Sequence, residues 1–413
     1  MAELASSRVR RAGIGLLLVA LLLETSCRSR RVVPVKAVPS VEMGDVASDA
    51  LDGAPLTAVK SISAGRSHTC AATRSGEVFC WGWNGSGQLG DGTIRAAPHP
   101  VARKVLGLTN VSDLSVGGSH TCAIANDAAW CWGENSFGQL GDDTTTSRSL
   151  PTQVSGLSSG VSAIAAGDSH TCALTKAGTV RCWGWNDHGS LGDATSTRRT
   201  RPVVVTLPGT ANLIAAGGGH TCALTDPGRA WCWGWNISGQ LGIGTLVDWS
   251  TPMAVIGPDK FRKVTTAAGR SCAITMDGRA VCWGRNFPHG QLGNGTRIDR
   301  DAPTPVEPPV RDAVLIAAGD GHTCVVVRNG TLKCWGLNDA GQLGDGTTSA
   351  QYGPVPAIGG LPVVAITAGG HHSCALAADG SLLCWGSNRF GQLGDGTLND
   401  HKSPVRVVAA QGD

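Results

Sequence analysis

The cysteines are the residues with the most chemistry open to them. Of the 15, all but Cys27 fall into seven pairs: Cys70 with Cys80, Cys122 with Cys131, Cys172 with Cys182, Cys222 with Cys232, Cys272 with Cys282, Cys324 with Cys334, and Cys374 with Cys384. In the third pair's neighbourhood, HTCALTKAGTVRCWGWN, the midpoint between Cys172 and Cys182 falls at Ala177. Folded as a hairpin, this stretch sets the two thiols opposite each other. Opposed residues of antiparallel strands have Cα atoms about 4.5–5.5 Å apart, within disulfide range. Closing so short a loop stabilises by about 2–3 kcal/mol on a chain-entropy model, and by less if the hairpin already restricts the unfolded chain. The spacing from Cys122 to Cys131 is one residue shorter than in the other six pairs and requires a different turn.

Other chemistry at these positions is weaker. A histidine stands two residues before the first cysteine in six units: His68, His120, His170, His220, His322 and His372. On a strand, His and Cys two apart share a face, so His170, Cys172 and Cys182 would converge as three zinc ligands. There is no CxxC, no fourth ligand, and the fifth unit has Arg270-Ser271 where His-Thr recurs. A catalytic histidine needs a unique set of partners, whereas these repeat with the scaffold. Asp91, Asp142, Asp193, Asp345 and Asp395 recur in Gly-Asp-rich loops but lack the alternate acidic ligands of a calcium loop, so a turn is expected. No nucleophile–base set and no phosphate loop stands out. The reading is a non-enzyme without metal or cofactor.

The elements that position these residues repeat. Every second cysteine precedes Trp-Gly, and successive Cys-Trp-Gly units lie 50–52 residues apart, filling residues 56–413. Each unit runs from an apolar stretch through Ala-Gly, His-Thr-Cys-Ala-Leu, a turn, Val-x-Cys-Trp-Gly-x-Asn and Gly-Gln-Leu-Gly-Asp-Gly-Thr, to Pro-x-x-Val. Short apolar runs bounded by Gly, Asn, Asp and Pro are strand signals, and no long window after the leader carries a helical period. Four-stranded units of this length are the sequence signature of a β-propeller, in which each blade is covered by its neighbours. The expected fold is all-β: seven blades of about four short strands. The Trp of each unit is expected to wedge between blades, and the Asn of Trp-Gly-x-Asn to organise the Gly-rich loop. Pro404–Val408 and Val59–Ile62 are the expected join of the ring.

The pattern Trp-Gly-x-Asn-x-x-Gly-Gln-Leu-Gly-x-Gly, preceded by Ala-Gly-x-x-His-Thr-x-Ala-Leu, resembles the regulator of chromosome condensation repeat family. The likeness covers all seven units. Local departures are Ser190 for Gln, Ile243 for Asp and Arg270-Ser271 for His-Thr. The resemblance implies a seven-bladed propeller.

Residues 1–27 read as an export signal. Arg8, Arg10 and Arg11 precede the apolar run IGLLLVALLL, too short to span a bilayer. Thr25-Ser26-Cys27 is similar to a bacterial lipoprotein box, with Glu24 where an aliphatic residue is usual. Either Cys27 is lipidated, or ordinary cleavage leaves it free or removes it. Residues 28–55, rich in Val, Pro, Ser and Asp, read as a flexible tether. The expected location is outside the cytoplasm, as an outer-membrane or periplasmic lipoprotein or an extracellular protein.

If the recurring positions are scaffold, function lies where the units differ. At the variable residue of Trp-Gly-x-Asn the chain offers Trp83, Glu134, Trp185, Trp235 and Arg285, among others. Just after the Asn come Phe137, Asp187, His188, Phe287, His289, Arg389 and Phe390. By ring symmetry these crowd one end of the wheel, and aromatic and Arg side chains on a rigid face are protein-binding chemistry. Trp83, Phe137, Trp185, His188, Trp235, Arg285, Phe287, Arg389 and Phe390 are the partner-binding candidates. The formal charge of +3, from 34 basic and 31 acidic residues, and the lack of a long basic block after the leader argue against nucleic acid. The expectation is a monomeric scaffold for a protein or cell-envelope partner, touching a membrane only through a lipid anchor. The family resemblance implies two alternatives, inhibition of a secreted enzyme such as a β-lactamase and guanine nucleotide exchange; envelope hydrolysis is a third, of a different class.

Overall fold

The computed structural model describes residues 53–410 apart from 258, 259, 358 and 361. Cys27 and the leader lie outside the described residues. Seven four-stranded antiparallel sheets follow one another along the chain, at 59–104, 111–153, 161–205, 211–254, 261–305, 313–356 and 363–406. We number these blades 1 to 7. In blade 3 the strands are Val161–Ala166, His170–Thr175, Val180–Gly184 and Arg199–Val205, paired in sequence order. The first strand of each blade is innermost, and these strands line a central channel through residues such as Ser63, Ser115, Ala165, Thr265 and Thr367.

The hairpin holding each cysteine pair is formed as the spacing requires. Cys172 faces Cys182, and Thr175 N donates to Thr179 O across a turn completed by Gly178 at φ 77°. Blade 2, with its shorter spacing, turns on two residues, Asn126 and Asp127, both at positive φ. That is the mirror-image turn whose twist suits a two-residue hairpin. All seven disulfides are closed, and each lies within one blade. Cys70 is bonded to Cys80, Cys122 to Cys131, Cys172 to Cys182 and Cys222 to Cys232. Cys272 is bonded to Cys282, Cys324 to Cys334 and Cys374 to Cys384. Their Cα atoms are 4.0–4.2 Å apart, slightly closer than the spacing expected of opposed strand residues.

Adjacent blades are joined by a unit that recurs at every seam. The Cys-Trp-Gly tryptophans are at most 1 % exposed. Each packs on the preceding blade: Trp132 joins the cluster around Cys70 and Cys80, and Trp183 that around Cys122 and Cys131. Trp132 Nε1 donates to Gln88 O at 2.9 Å, and Thr121 Oγ1 donates to the same carbonyl at 2.9 Å. His68 Nε2 then meets Thr121 Oγ1 at 2.9 Å. Because the Thr proton is already given to the carbonyl, the imidazole must carry its proton on Nε2 and donate it. The arrangement repeats around the ring to His372, Thr69, Gln392 O and Trp81, which close blade 7 onto blade 1. At the seam between blades 5 and 6, Arg270 replaces the histidine and donates from Nε to Thr323 Oγ1 at 3.2 Å.

The ring's join differs in detail from the sequence expectation. Pro404 to Arg406 belong to the outer strand of blade 7, and Val59 to Ile62 to the innermost strand of blade 1. The added pairing is Ala54–Pro55 with Val408–Ala409, which lies beside Ala102 of blade 1. Two residues at the end of the segment read as a tether are therefore part of the blade 1 sheet. The cause is geometric: all four strands of both terminal blades are already contiguous in sequence. Only the flanking residues remain free to pair across the join.

Candidate partner-binding face

The turn after each innermost strand and the loop after each third strand meet at one end of the wheel. Trp185 N donates to Ser169 O at 2.9 Å, and the equivalent bond ties Trp83 to Ser67 and Trp235 to Gly219. Gly184, between the wedge Trp and Trp185, sits at φ 102°, where a Cβ would lie 2.7 Å from Ser169 O. Only glycine admits that approach. The next residue, Asn186, is fully buried. Its Oδ1 accepts Leu191 N at 2.9 Å, while Nδ2 donates to Asp193 Oδ1, Thr195 O and Thr197 O. Asp193 is in turn filled by Thr195 N and Oγ1 and by Arg199 at 2.8 Å. Asp193 is thus a turn cap with both oxygens engaged.

The six seam histidines are interior as well. Burial drives His68, His120, His220 and His372 down to about 3 and His170 to about 4, with His322 well below its ordinary value. Nδ1 of each has no hydrogen-bond partner, so no acceptor waits for the proton that would charge the ring. Inaccessible imidazoles committed to a neighbouring hydroxyl are structural.

The aromatic candidates largely cover one another. Trp83 meets Phe390 edge-on at 5.1 Å across the join of blades 7 and 1. His188 lies between Trp185 and Trp235, 5.4 Å from each, and its Nδ1 is 2.6 Å from Asp248. Phe137 lies under Arg198 at 4.7 Å, and Arg198 is held by both oxygens of Asp187 at 2.9 and 2.7 Å. These rings are half-buried. Planar apolar groups beside Gly-rich loops gain more by stacking than by standing in water. Arg285, Phe287 and Arg389 are the exposed members of the set, with Arg285 Nε donating to Phe287 O at 3.1 Å.

Two features were not singled out from the sequence. Ile237, Val247 and Ile298 are 62–64 % exposed on the neighbouring blades 4 and 5, as is the candidate Phe287. The residues in the places of Ile237 and Val247 in blade 3 are Asp187 and Thr197. The second feature is a clasp over the channel mouth. Arg66 of blade 1 reaches Asp168 of blade 3 at 2.6 Å and Asp320 of blade 6 at 3.7 Å. Other blades place Gly or Ala there: Gly118, Gly218, Ala268 and Gly370. A charged residue in that small-residue slot was the available signal. Burial, with the Asp320 charge, pushes the Asp168 carboxyl up, although Arg66 pulls it down. Among the described residues no group of three or more His, Cys, Asp or Glu is arranged to hold a metal ion.

Comparison with known proteins identifies the family and the fold. Residues 40–269 match the RCC1-like domain model, and 277–326, 329–376 and 379–413 match the regulator of chromosome condensation (RCC1) repeat. The ultraviolet-B receptor UVR8 of Arabidopsis thaliana is 31% identical over 145 residues, 34% of this chain and 32% of the receptor. The probable E3 ubiquitin-protein ligase HERC4 of Homo sapiens is 33% identical over 104 residues, 24% of this chain and 10% of the ligase. The matched portions therefore span about a third and a tenth of those relatives' lengths. Human WBSCR16 superposes with a TM-score of 0.73 at 25% identity, covering 81% of this chain and 94% of that one. Yeast RCC1 (Prp20), solved bound to Kap60, gives 0.71 at 23% identity, covering 83% and 85%.

Proposed function

The chain belongs to the RCC1-like family, and from that premise we propose that it is a binding scaffold which engages a protein or envelope partner through its loop face. One observation carries the reading. The residues that recur in every unit are spent inside the wheel, whereas Trp83, Glu134, Trp185, Trp235 and Arg285 occupy one equivalent position with unlike chemistry. A frame that repeats and a rim that does not is how a solenoid or ring presents a specific surface. The yeast relative is described as bound to Kap60, and its binding to Gsp1p and histones has been studied. Protein binding on this fold therefore has precedent, though that likeness is one of fold alone.

The seven disulfides suit an oxidising compartment. With the leader and Cys27 of the sequence, they support export, with lipid anchoring as the finer form of the proposal. The ligase activity in the HERC4 name is not carried over, since a tenth of that protein is shared.

The test is capture from envelope extract by the disulfide-intact protein and by a triple variant in which Trp83, Trp185 and Trp235 are all replaced by Ala. A partner retained by the first and lost by the second supports the face, provided both melt at similar temperatures. Equal recovery of every partner rules the face out.

A further inference from the structure

The most specific concavity on the loop face lies beside the channel mouth. It is lined by Phe137 and Trp185, by Glu134 and Asp168, and by Arg66 and Gly118 among others. Of its lining, Arg66, Glu134, Phe137 and Asp168 each differ from their equivalents in the other two of units 1 to 3. Gly118 holds the small-residue slot, where a Cβ would lie 2.7 Å from Asp168 O. Both rings are fixed from one side: His188 sits 5.4 Å from Trp185, and Arg198 4.7 Å from Phe137. Arg198 is neutralised in place by Asp187, so it adds no net charge.

The charges that remain do not balance. Arg66 serves Asp168 and Asp320 together. Glu134 accepts only the hydroxyl of Ser136, at 2.9 Å, and has no cationic partner among the described residues. The cavity's lining thus holds two carboxylates, Glu134 and Asp168, against one guanidinium that already pairs with Asp168. A pocket with aromatic sides and surplus negative charge suits a cation on an apolar stem. The stem packs on the rings, and the head meets carboxylate and ring faces.

We propose that this cavity receives a lysine or arginine side chain projecting from the protein partner. The proposal rests on the binding-face reading and names what that face recognises. Charge complementarity selects the occupant: an acidic or neutral side chain would leave Glu134 unpaired, and an apolar one would also desolvate it.

The experiment uses disulfide-intact protein with ¹⁵N-labelled tryptophan, following indole N–H resonances by NMR. The Trp185 signal is assigned from Trp185→Phe. Acetyl-Gly-Lys-Gly-amide and acetyl-Gly-Arg-Gly-amide are titrated, with the Glu tripeptide and choline as comparisons. Saturable, salt-sensitive movement of the Trp185 signal is expected with a basic tripeptide and not with the Glu tripeptide. Glu134→Gln, which keeps the shape, should weaken it about five-fold or more, the scale of one lost charged contact. No saturable shift, or unchanged affinity in Glu134→Gln, overturns the proposal. So does saturation by choline alone, which would make the ligand a quaternary head group. If a captured partner is held equally by wild type and Glu134→Gln but lost from the triple Trp variant, the face stands and the cavity reading falls.

Discussion

Acid should open the seams between blades well before it affects the carboxylates. The perturbation is a shift from pH 7 to pH 5. Six seam histidines are neutral donors in the folded wheel, five with values lowered to about 3 or 4 and His322 held well below its ordinary value. In the unfolded chain each titrates near the ordinary value of about 6.5. Below that value the unfolded state holds more protons than the folded one, so stability falls as pH falls, by up to about 1.4 kcal/mol per unit per residue. At pH 5 the loss is about 2 kcal/mol for each, and about 12 kcal/mol for six together, comparable with the whole stability of a typical domain. His99 and His289, also lowered by burial, act in the same direction. Asp113 and Asp168 are raised by burial and act in the opposite direction. Six imidazoles against these two carboxyls make the imidazoles the larger effect between 6.5 and 5. The assay is guanidinium unfolding at pH 7, 6 and 5 without reductant, analysed for protons taken up on unfolding. Uptake approaching six is expected at pH 5, and His170→Gln should reduce it by about one. An unfolding midpoint unchanged between pH 7 and pH 5 would refute the donor assignment and the burial argument together.

Three further outcomes follow from the same geometry. Replacing Cys172 and Cys182 together by Ala should cost at most about 2–3 kcal/mol, read by chemical unfolding, because the hairpin pairing survives the loss of the bridge; mass mapping of unreduced wild-type peptides should find all seven bridges within hairpins. Trp183→Ala should cost more, about 3–5 kcal/mol, since it removes a fully buried wedge from the seam of blades 2 and 3 together with its bond to Gln139 O; a loss below about 1 kcal/mol would contradict the wedge. Arg66→Ala should change stability by no more than about 1 kcal/mol, because the guanidinium is over half exposed, yet it should raise the Asp168 titration further, as followed by carboxyl NMR.

The seam relay and the clasp differ in how far the sequence discloses them. Cys172, Cys182, Trp183 and Asn186 each recur at a fixed place in the period, and a recurring residue has a recurring environment. Hairpin, bridge, wedge and loop cap could therefore be deduced from one unit and multiplied by seven. The histidines disclosed half of this. Their recurrence marked them as structural, but the partner hydroxyl lies in the next unit, 51 residues on for His170 and Thr221. Only the placed carbonyl of Ser190 shows which atom must hold the proton.

What a single unit cannot contain is any contact between units that are not neighbours. Arg66, Asp168 and Asp320 come from blades 1, 3 and 6, so their meeting depends on the width of the channel mouth and the reach of one side chain. The same limit explains the aromatic rim. Variable positions could be identified as the place of function, but Trp83 finds Phe390, 307 residues away in sequence, only because the ring closes. Closure thus converts residues that look like separate exposed anchors into paired, half-covered ones. It leaves two kinds of surface for a partner: the bare tips Ile237 and Phe287 on blades 4 and 5, and the cavity where Glu134 lies without a cationic partner. A partner that reads this wheel must recognise how unlike units have been brought side by side. Exchanging the rim residues of two blades, Glu134 with Arg285 for example, should therefore change partner choice while leaving the melting temperature nearly unaltered. Loss of folding in that exchange would show the rim to be part of the frame.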